Sequence, residues 1–338
     1  MVLLASLGLT TLASVSPSNF VPQLIFVVSG LVVFVLVSNL NYALLFPFAK
    51  IIYTVSILAL FFTIMIGIAS RGATRWIELG FVRIQFSELL KPLLIVAAAS
   101  LLSTNFTPKK VIFTLVLAAP IIFLIFGQPD LGTALVYFLT LSTMLAFSGL
   151  SPMVMALTGA LLFLSSPLIW NLLADYQRQR IVSFLSPDQD LLGASYNAIQ
   201  SVITVGSGMI LGRGLGRGTQ THLFFLPERH TDFIFASFAE EFGFLGSLVL
   251  LAIYFFLFVK IISIFGRADS VPSRIVSIGV LASLFFPMLV NIAMNIGLLP
   301  ITGVPLPLVS YGGSSFLGSA VSLGLVASIQ RMQKEKLS

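Results

Sequence analysis

The chain has 338 residues, of which 57% are hydrophobic and only 9% are charged, and its mean hydropathy is +1.06. Soluble globular domains carry about 25% charged residues, so this composition excludes a water-soluble globule and predicts a polytopic membrane protein. The absence of cysteine excludes disulfides, a thiol nucleophile and thiolate metal sites.

Ten apolar runs follow one another along the chain, and each is a candidate for a membrane-spanning helix, which needs about 20 residues. The runs cover residues 2–15, 21–39, 43–69, 88–103, 110–126, 131–148, 152–171, 233–263, 273–296 and 307–329. We therefore predict an all-α, polytopic integral membrane protein with about ten transmembrane helices, folded as a single membrane domain over residues 1–338. Residues 172–232 form a large loop between the seventh and eighth helices of this domain.

The positions of the basic residues predict the side of the membrane on which each loop lies. With the N-terminus inside, the short loops carry nine lysines and arginines on the inner side and four on the outer side. Short loops rich in positive charge favour the inner side, whereas long loops cross largely regardless of charge. The loop 172–232 is therefore predicted to lie outside. The net charge of +6 does not indicate nucleic acid, because the basic residues are scattered and form no patch with interleaved aromatics.

Three outer positions before the long loop carry candidate site residues. Arg75 lies in a turn-forming segment, where an interfacial anchor is the alternative to a substrate contact. Glu88 and Lys91 are three residues apart at the start of a helix and so share one face, and a buried structural ion pair is the alternative to a substrate site. Asp130 stands at a helix N-terminus, where capping the helix is its expected role.

The densest group of ionisable residues, at 226–241, lies where the chain re-enters the membrane. Four ionisable side chains at 228–232 precede an apolar helix, and Glu240 and Glu241 fall within its first turns. Ionisable groups at a membrane boundary cost a few kcal/mol unless they are paired or hydrated, so they are functional candidates by default. Asp232 is the foremost of them, and its alternative role is a helix cap.

Glycines and prolines shape two further segments. Alternating glycines at 212–218 follow no strand and lack the ending of a phosphate-binding loop, so they do not predict nucleotide binding. The apolar run 201–211 before them is typical of a re-entrant segment. The prolines and glycines at 305–313 predict an interrupted helix entrance, where neighbouring groups satisfy the backbone.

Taken in order, several motifs resemble those of the SEDS family (shape, elongation, division and sporulation) across essentially the whole chain. They are GATRWIELG at 72–80, FSELLK at 86–91, QPDLGT at 128–133, RIVSFLSPDQDLLGASYNAIQS at 180–201, GRGTQTHLFFLPERHTDFIFASFAEEFGFLG at 216–246 and GVPLPLVSYGGSS at 303–315. The last motif and SYNAIQS are more similar to the rod-shape (RodA) branch than to the division (FtsW) branch. One residue departs from the family pattern: Phe86 replaces the usual proline, which removes a favoured helix start.

The resemblance implies a glycosyltransferase that polymerises lipid II into peptidoglycan strands at the outer face of the bacterial cytoplasmic membrane, for elongation and shape. Undecaprenyl pyrophosphate is the expected leaving group, and a class B penicillin-binding protein, a transpeptidase, is the expected partner. The family's essential aspartate corresponds to Asp232, which can also act as a general base on physical grounds. The expected substrate-binding residues are Arg75, Glu88, Lys91, Arg180, Arg213, Arg217, Ser310 and Ser314.

The leaving pyrophosphate is a polyanion, so cations are needed to offset its charge, and a divalent ion such as Mg or Mn is a candidate cofactor. Two other functions stay open at this point. A lipid II flippase predicts ionisable groups at the membrane midplane, whereas most of them cluster here at the outer surface. A non-catalytic membrane scaffold predicts that Asp232→Asn has no effect.

Overall fold

The computed structural model describes residues 1–70, 73–79, 82–103, 108–149, 152–164, 166–186 and 195–337. The described residues form three β-strands and fifteen α-helices, with short 3-10 helices at Pro17–Asn19 and Tyr42–Phe48. The α-helices are α1 (Val2–Val15), α2 (Phe20–Asn39), α3 (Ala49–Ile66), α4 (Phe86–Leu89), α5 (Lys91–Leu102), α6 (Pro108–Gly127), α7 (Leu131–Phe147), α8 (Pro152–Leu164), α9 (Ser166–Leu172), α10 (Asp175–Leu185), α11 (Tyr196–Ser207), α12 (Thr219–His222), α13 (Ile234–Arg267), α14 (Val271–Asn295) and α15 (Gly313–Leu337).

The predicted polytopic helical fold is confirmed, since a helix lies in each of the ten apolar runs. Within the described ranges, five helical stretches are long and apolar enough to span a membrane: 17–39, 42–66, 234–267, 271–295 and 313–335. Shorter apolar helices fall in four of the other runs. The run 152–171 is divided between α8 and α9. The chain is thus a multi-pass membrane protein.

A small antiparallel sheet follows α3, where the sequence predicted only a loop. Strand β1 (Ile68–Ser70) pairs with β2 (Ala73–Leu79), which pairs with β3 (Val82–Ile84). Alternating apolar residues explain the pairing of β2 with β3, because Ile77 lies opposite Ile84. Residues 71–72, 80–81 and 187–194, which belong to or adjoin the family motifs, lie outside the described residues.

The departure at Phe86 has a local consequence. Helix α4 begins at Phe86 without a side-chain cap, ends at Leu89 and gives way to α5 at Lys91. Pro92 stands in the first turn of α5, the position at which its missing N–H is tolerated. A proline therefore still marks a helix start, six residues after the position predicted from the family.

The chain divides into two compact units. The first unit contains residues 1–31, 176–259 and 287–317. Its buried cluster of Leu226, Phe233 and Ala236 lies next to the start of α13. The second unit contains residues 32–175, 260–286 and 318–338. A larger apolar cluster fills it, made of Leu60, Leu90, Leu94, Ile121, Ile125, Ala134 and Tyr137. The single membrane domain stays a prediction.

Candidate functional site

Asp232, the predicted catalytic residue, lies in a tight turn two residues before α13. The carbonyl of Glu228 accepts hydrogen bonds from the backbone N–H groups of Thr231 (3.1 Å) and Phe233 (3.3 Å). The Thr231 hydroxyl also donates to Glu228 Oε2 at 3.0 Å. Phe233 and Phe235 are buried, whereas Asp232 keeps partial exposure. The turn thus holds a carboxylate at the edge of an apolar cluster.

Two buried asparagines of α14 fix the backbone of Asp232. The Asn291 and Asn295 side chains donate to the Asp232 carbonyl at 2.9 and 3.1 Å. Asn291 Nδ2 also donates to the Val304 carbonyl at 2.8 Å, and Asn295 Oδ1 accepts the Ala236 N–H at 3.2 Å. Each amide is thereby held by more than one partner, so the pair forms a rigid support under Asp232.

The segment 304–312 bonds to the two residues that precede Asp232. The Ser310 hydroxyl donates to the Thr231 carbonyl at 2.7 Å and accepts the Leu306 N–H at 2.8 Å. The N–H of Tyr311 donates to the His230 carbonyl at 3.0 Å. Three consecutive carbonyls, from His230 to Asp232, are therefore bonded to groups outside the turn. Ser310, predicted to bind substrate, has a hydroxyl that already makes two bonds to the backbone.

Gln23 of α2 supports this segment in turn. Its Oε1 atom accepts the Gly312 N–H at 3.1 Å, and its Nε2 atom donates to the Ser310 carbonyl at 3.5 Å. Ser314, another predicted substrate residue, is buried in the first turn of α15. Residues 310–314 are thus ordered from one side by α2 and from the other by the Asp232 turn.

Arg229, next to the turn, is engaged by the protein. Its guanidinium lies 4.0 Å from the Phe224 ring centroid, and its Nε atom donates to the Val15 carbonyl at 3.1 Å. Burial lowers the pKa of Arg229, and the nearby Glu228 opposes that shift. The Arg229 carbonyl accepts a hydrogen bond from Ser237 Oγ at 2.9 Å. The series of hydrogen-bonded carbonyls therefore extends from Arg229 to Asp232.

The predicted phosphate-binding arginines of the first unit fall on different elements. Arg180 of α10 donates from a guanidinium nitrogen to the Ile301 carbonyl at 3.2 Å. Arg213 is exposed and donates from Nε to the Ser207 carbonyl at 2.7 Å. Arg217 is also exposed. The two exposed side chains present most of their donors to the surroundings.

Glu240 and Glu241, which the sequence left without a role, organise the segment 216–222. Glu240 accepts the N–H groups of Gln220 (2.8 Å) and Thr221 (3.1 Å) and the Thr221 hydroxyl (2.8 Å). Glu241 Oε1 accepts the Gly216 N–H at 3.1 Å and lies 3.3 Å from His222 Nε2. Both carboxylates are buried. Their observed role is to anchor a loop.

The second unit gathers three other predicted site residues into two ion pairs. Arg75 of β2 lies 3.5 Å from Asp130 Oδ2. Asp130 caps α7 as predicted, since its Oδ1 atom accepts the Thr133 N–H at 3.1 Å, and it also accepts from Gln85 Nε2 at 3.2 Å. Lys91 Nζ bonds to Glu88 Oε1 at 2.8 Å.

The pair of Glu88 and Lys91 is deeply buried. The Tyr137 hydroxyl donates to the carbonyl of Ser87 beside it. Gly318 approaches so closely that a side-chain Cβ there would lie 2.4 Å from the Glu88 carbonyl oxygen. This is the buried ion pair that the spacing of three residues predicted as the alternative to a substrate site.

A divalent ion has limited support from side chains alone. Within the described ranges, no group of three or more His, Asp or Glu residues is placed to hold a metal. Mg²⁺ is commonly bound by one or two carboxylates together with substrate phosphates. The residues around Asp232 fit a site in which the protein supplies one or two carboxylates and a substrate phosphate supplies most of the other ligands. A divalent ion such as Mg or Mn stays a candidate cofactor.

Sequence reasoning missed the amides that support the site. Asn291 and Asn295 are four residues apart in the otherwise apolar stretch 284–295 of α14, so they share one face. Two amides on one face of a spanning helix are a detectable signal, because polar groups at membrane depth need partners. Gln23 has no second amide three or four residues away within α2, so the sequence gives no comparable pattern there.

Comparisons with known proteins agree over nearly the whole chain. A family model covering FtsW, RodA and SpoVE, described as cell cycle protein, matches residues 1–335. The chain is 40% identical to the peptidoglycan glycosyltransferase MrdB of Escherichia coli K12, over 90% of this chain and 84% of that protein. It is 30% identical to the peptidoglycan glycosyltransferase RodA of Treponema pallidum, over 97% of this chain and 93% of that protein.

Solved structures give the same result. A chain from work on structural coordination of polymerization and crosslinking by a peptidoglycan synthase complex aligns with a TM-score of 0.84 and 29% identity, covering 98% of this chain and 96% of that chain. The rod shape determining protein RodA of Thermus thermophilus aligns with a TM-score of 0.74 and 27% identity, covering 98% of this chain and 94% of that chain.

Proposed function

Because the chain belongs to the FtsW, RodA and SpoVE family of cell cycle proteins, we propose that it is a peptidoglycan glycosyltransferase that polymerises lipid II into glycan strands. Its relatives in Escherichia coli and Treponema pallidum carry the name of that activity. The proposal places the reaction at the outer face of the bacterial cytoplasmic membrane and assigns it to elongation and cell shape. The motif likeness to the RodA branch supports that assignment.

The observation that carries the mechanism is the rigid backbone of Asp232 beneath a partly exposed carboxylate. A sugar hydroxyl of the acceptor attacks the anomeric carbon of the donor, and the bond from that carbon to the pyrophosphate oxygen breaks. The Asp232 carboxylate takes the hydroxyl proton as the new glycosidic bond forms. Undecaprenyl pyrophosphate leaves with the bonding electrons. General-base catalysis of this kind contributes about 10²- to 10⁴-fold in rate.

The support around Asp232 matters because a base must stand within hydrogen-bond reach of the proton it removes. Fixing the carbonyls of residues 230–232 restricts the backbone, which leaves only side-chain rotation to adjust the carboxylate. Catalytic groups held in this way need little reorganisation during the reaction. Asn291 and Asn295 therefore act as positioning residues in this proposal.

The departing pyrophosphate is assigned to cationic side chains. Arg213 and Arg217 are exposed, and an arginine fork matches a phosphate with two parallel hydrogen bonds. Arg180 contributes from α10 while it holds the Ile301 carbonyl. Lys91 and Arg75 already face carboxylates at 2.8 and 3.5 Å, so their charge is largely offset. When bound, a divalent ion would supply further charge neutralisation on the phosphate oxygens.

A class B penicillin-binding protein is the proposed partner. One similar solved chain comes from work on the coordination of polymerization and crosslinking by a peptidoglycan synthase complex. That likeness supports a partner that crosslinks strands. In this proposal the partner's transpeptidase acts on the strands that the present chain makes.

The test is polymerisation of purified lipid II by the protein in lipid vesicles, with and without a transpeptidase partner, read as glycan strands on a gel. Glycan strands are the expected product. Movement of labelled lipid II between leaflets without polymer would support a flippase instead. If neither polymer nor movement arises with the partner present, the protein is a scaffold and the proposed function is wrong.

A further inference from the structure

The long helix α13 is interrupted inside its apolar stretch. Gly243 has φ 69° and ψ −166°, values far from helical. Glu240 and Glu241 lie just before the interruption, and Phe244 and Leu245 lie just after it. Backbone groups freed at membrane depth must find partners inside the protein, because hydrocarbon offers none. The partners here come from a segment earlier in the chain.

Residues 209–214, which we call the tip segment, bond to both sides of the interruption. Two tip N–H groups donate to carbonyls before the interruption, and two tip carbonyls accept N–H groups after it. The four bonds are Arg213 N–H to Glu240 O (2.8 Å), Gly214 N–H to Glu241 O (3.0 Å), Phe244 N–H to Met209 O (2.9 Å) and Leu245 N–H to Ile210 O (3.1 Å). The tip segment therefore replaces the helical hydrogen bonds that α13 lacks.

Glycine is required on both sides of this contact. Gly212 has φ +84°, and a Cβ there would lie 2.1 Å from the Glu241 carbonyl oxygen. Gly243 has φ +69°, and its Cβ would lie 2.2 Å from the Gly212 nitrogen. The two backbones touch directly, so the level of the tip segment along α13 is fixed by the fold.

At that level the tip segment exposes apolar side chains. Met209, Ile210 and Leu211 are 74%, 64% and 78% exposed. Phe244 and Leu245, to which the tip is bonded, are 63% and 47% exposed. They begin an exposed apolar face of α13 that continues through Leu248, Val249, Leu251, Phe255, Phe256 and Val259. From Phe244 to Val259 this face rises about 22 Å, most of the roughly 30 Å thickness of a hydrocarbon core.

We propose that the tip segment is re-entrant: it dips into the bilayer and is covered by the acyl chains of membrane lipids. The exposed face of α13 is apolar and belongs to a helix long enough to span a membrane, and the tip is bonded to the two residues that begin this face. Arg213, near the end of the tip, is exposed and donates from Nε to the Ser207 carbonyl. At the edge of the bilayer its other donors face phosphate groups, among them the pyrophosphate assigned to it above. The predicted loop 172–232 is then partly a membrane-embedded element.

Depth measurement by spin labelling tests this proposal without reference to enzyme activity. The chain has no cysteine, so Leu211→Cys gives a single attachment point for a nitroxide. Leu245→Cys is the matched control at the same level of α13. Gln179→Cys, exposed between two arginines of the polar helix α10, is the aqueous control. In phospholipid vesicles, collisions with oxygen report hydrocarbon, and collisions with a water-soluble nickel chelate report water.

The label at 211 is expected to give an oxygen-to-nickel collision ratio within about twofold of that at 245, because both labels lie at one level along α13. The ratio at 211 should also be several-fold above that at 179. A ratio equal to that at 179 would place the tip in water and overturn the proposal. Low collision rates with both reagents would also overturn it, because the tip would then be covered by protein. Ile210→Cys repeats the measurement, so a single misfolded variant does not decide the result.

Discussion

Asp232 of the first unit and the pair of Glu88 and Lys91 of the second are held in opposite ways. Around Asp232 the backbone is bonded at successive carbonyls while the carboxylate keeps partial exposure. In the other unit, Glu88 and Lys91 neutralise each other in a buried pair. The first arrangement fixes the position of Asp232, a charged residue that stays partly exposed. The second buries Glu88 and Lys91 in a stabilising contact with each other.

A charged residue in a membrane protein can therefore have either of two roles, stabilising the fold or acting at a functional site. A buried ion pair is costly to break, because removing one charge leaves its partner buried and uncompensated. A partly exposed charge on a fixed backbone is less costly to remove, because its surroundings are not sealed from water. Substitutions of Glu88 and of Asp232 should therefore differ in the property they change most, stability for Glu88 and catalytic rate for Asp232.

Glu88→Gln is expected to have the largest effect on stability, about 3–5 kcal/mol of unfolding free energy, because Lys91 is left buried without its partner. Reversible unfolding in mixed micelles measures it. The double variant Glu88→Leu with Lys91→Leu should recover most of the loss, since it removes both charges. Equal losses in the single and double variants would contradict the pairing.

Asn291→Ala with Asn295→Ala is expected to destabilise the protein by about 1–3 kcal/mol, the cost of an unsatisfied buried acceptor at the Asp232 carbonyl. It should also lower kcat for polymerisation by about 10- to 100-fold, as a displaced catalytic group does, with little change in KM. Each single variant keeps one amide donor to the Asp232 carbonyl. The logarithm of its loss in kcat should therefore be well below half of that for the double variant. A rise in KM alone would assign the pair to substrate binding.

Gly212→Ala is expected to cost about 1–3 kcal/mol of stability, since alanine is strained at positive φ and its Cβ meets the Glu241 carbonyl. Gly206→Ala is the matched control. A Cβ at Gly206, within α11, meets nothing within 4 Å, so that change should stabilise by about 0.5–1 kcal/mol. Thermal unfolding of both variants in one detergent makes the comparison, and equal shifts of the same sign would refute the close contact.

Arg83→Ala gives the smallest expected effect and sharpens the contrast with Glu88. Arg83 Nε lies 2.6 Å from Glu78 Oε1 between β2 and β3, but both side chains are exposed. Exposed ion pairs contribute about 0.2–1 kcal/mol, and salt screens them. The loss should fall further when unfolding is measured at about 1 M salt. A salt-independent loss above about 2 kcal/mol would contradict the expectation.

Much of the fold was accessible from composition and periodicity. Ten apolar runs located the membrane helices, and the spacing of Glu88 and Lys91 gave a buried ion pair as one of two interpretations. The sheet was missed because its strands are short, and its β2–β3 register depends on cross-strand neighbours such as Ile77 and Ile84. Short strands of this kind give little periodic signal.

The site was predicted less completely than the helices. Asp232 was located from its ionisable neighbours and from the family resemblance, but the support by Asn291 and Gln23 was not. Those contacts join residues far apart in sequence: Asn291 lies 59 residues from Asp232, and Gln23 lies 287 residues from Ser310. No local pattern encodes such pairings.

The most direct test of the account compares the rate of lipid II polymerisation by wild type and Asp232→Asn, with the unfolding free energy of both measured in the same lipid. A loss of at least about 100-fold in rate is expected, the lower end for a general base. The loss of stability should be well below that of Glu88→Gln, because Asp232 is partly exposed. An Asp232→Asn variant that polymerises at the wild-type rate would contradict the central claim and remove this carboxylate from the mechanism.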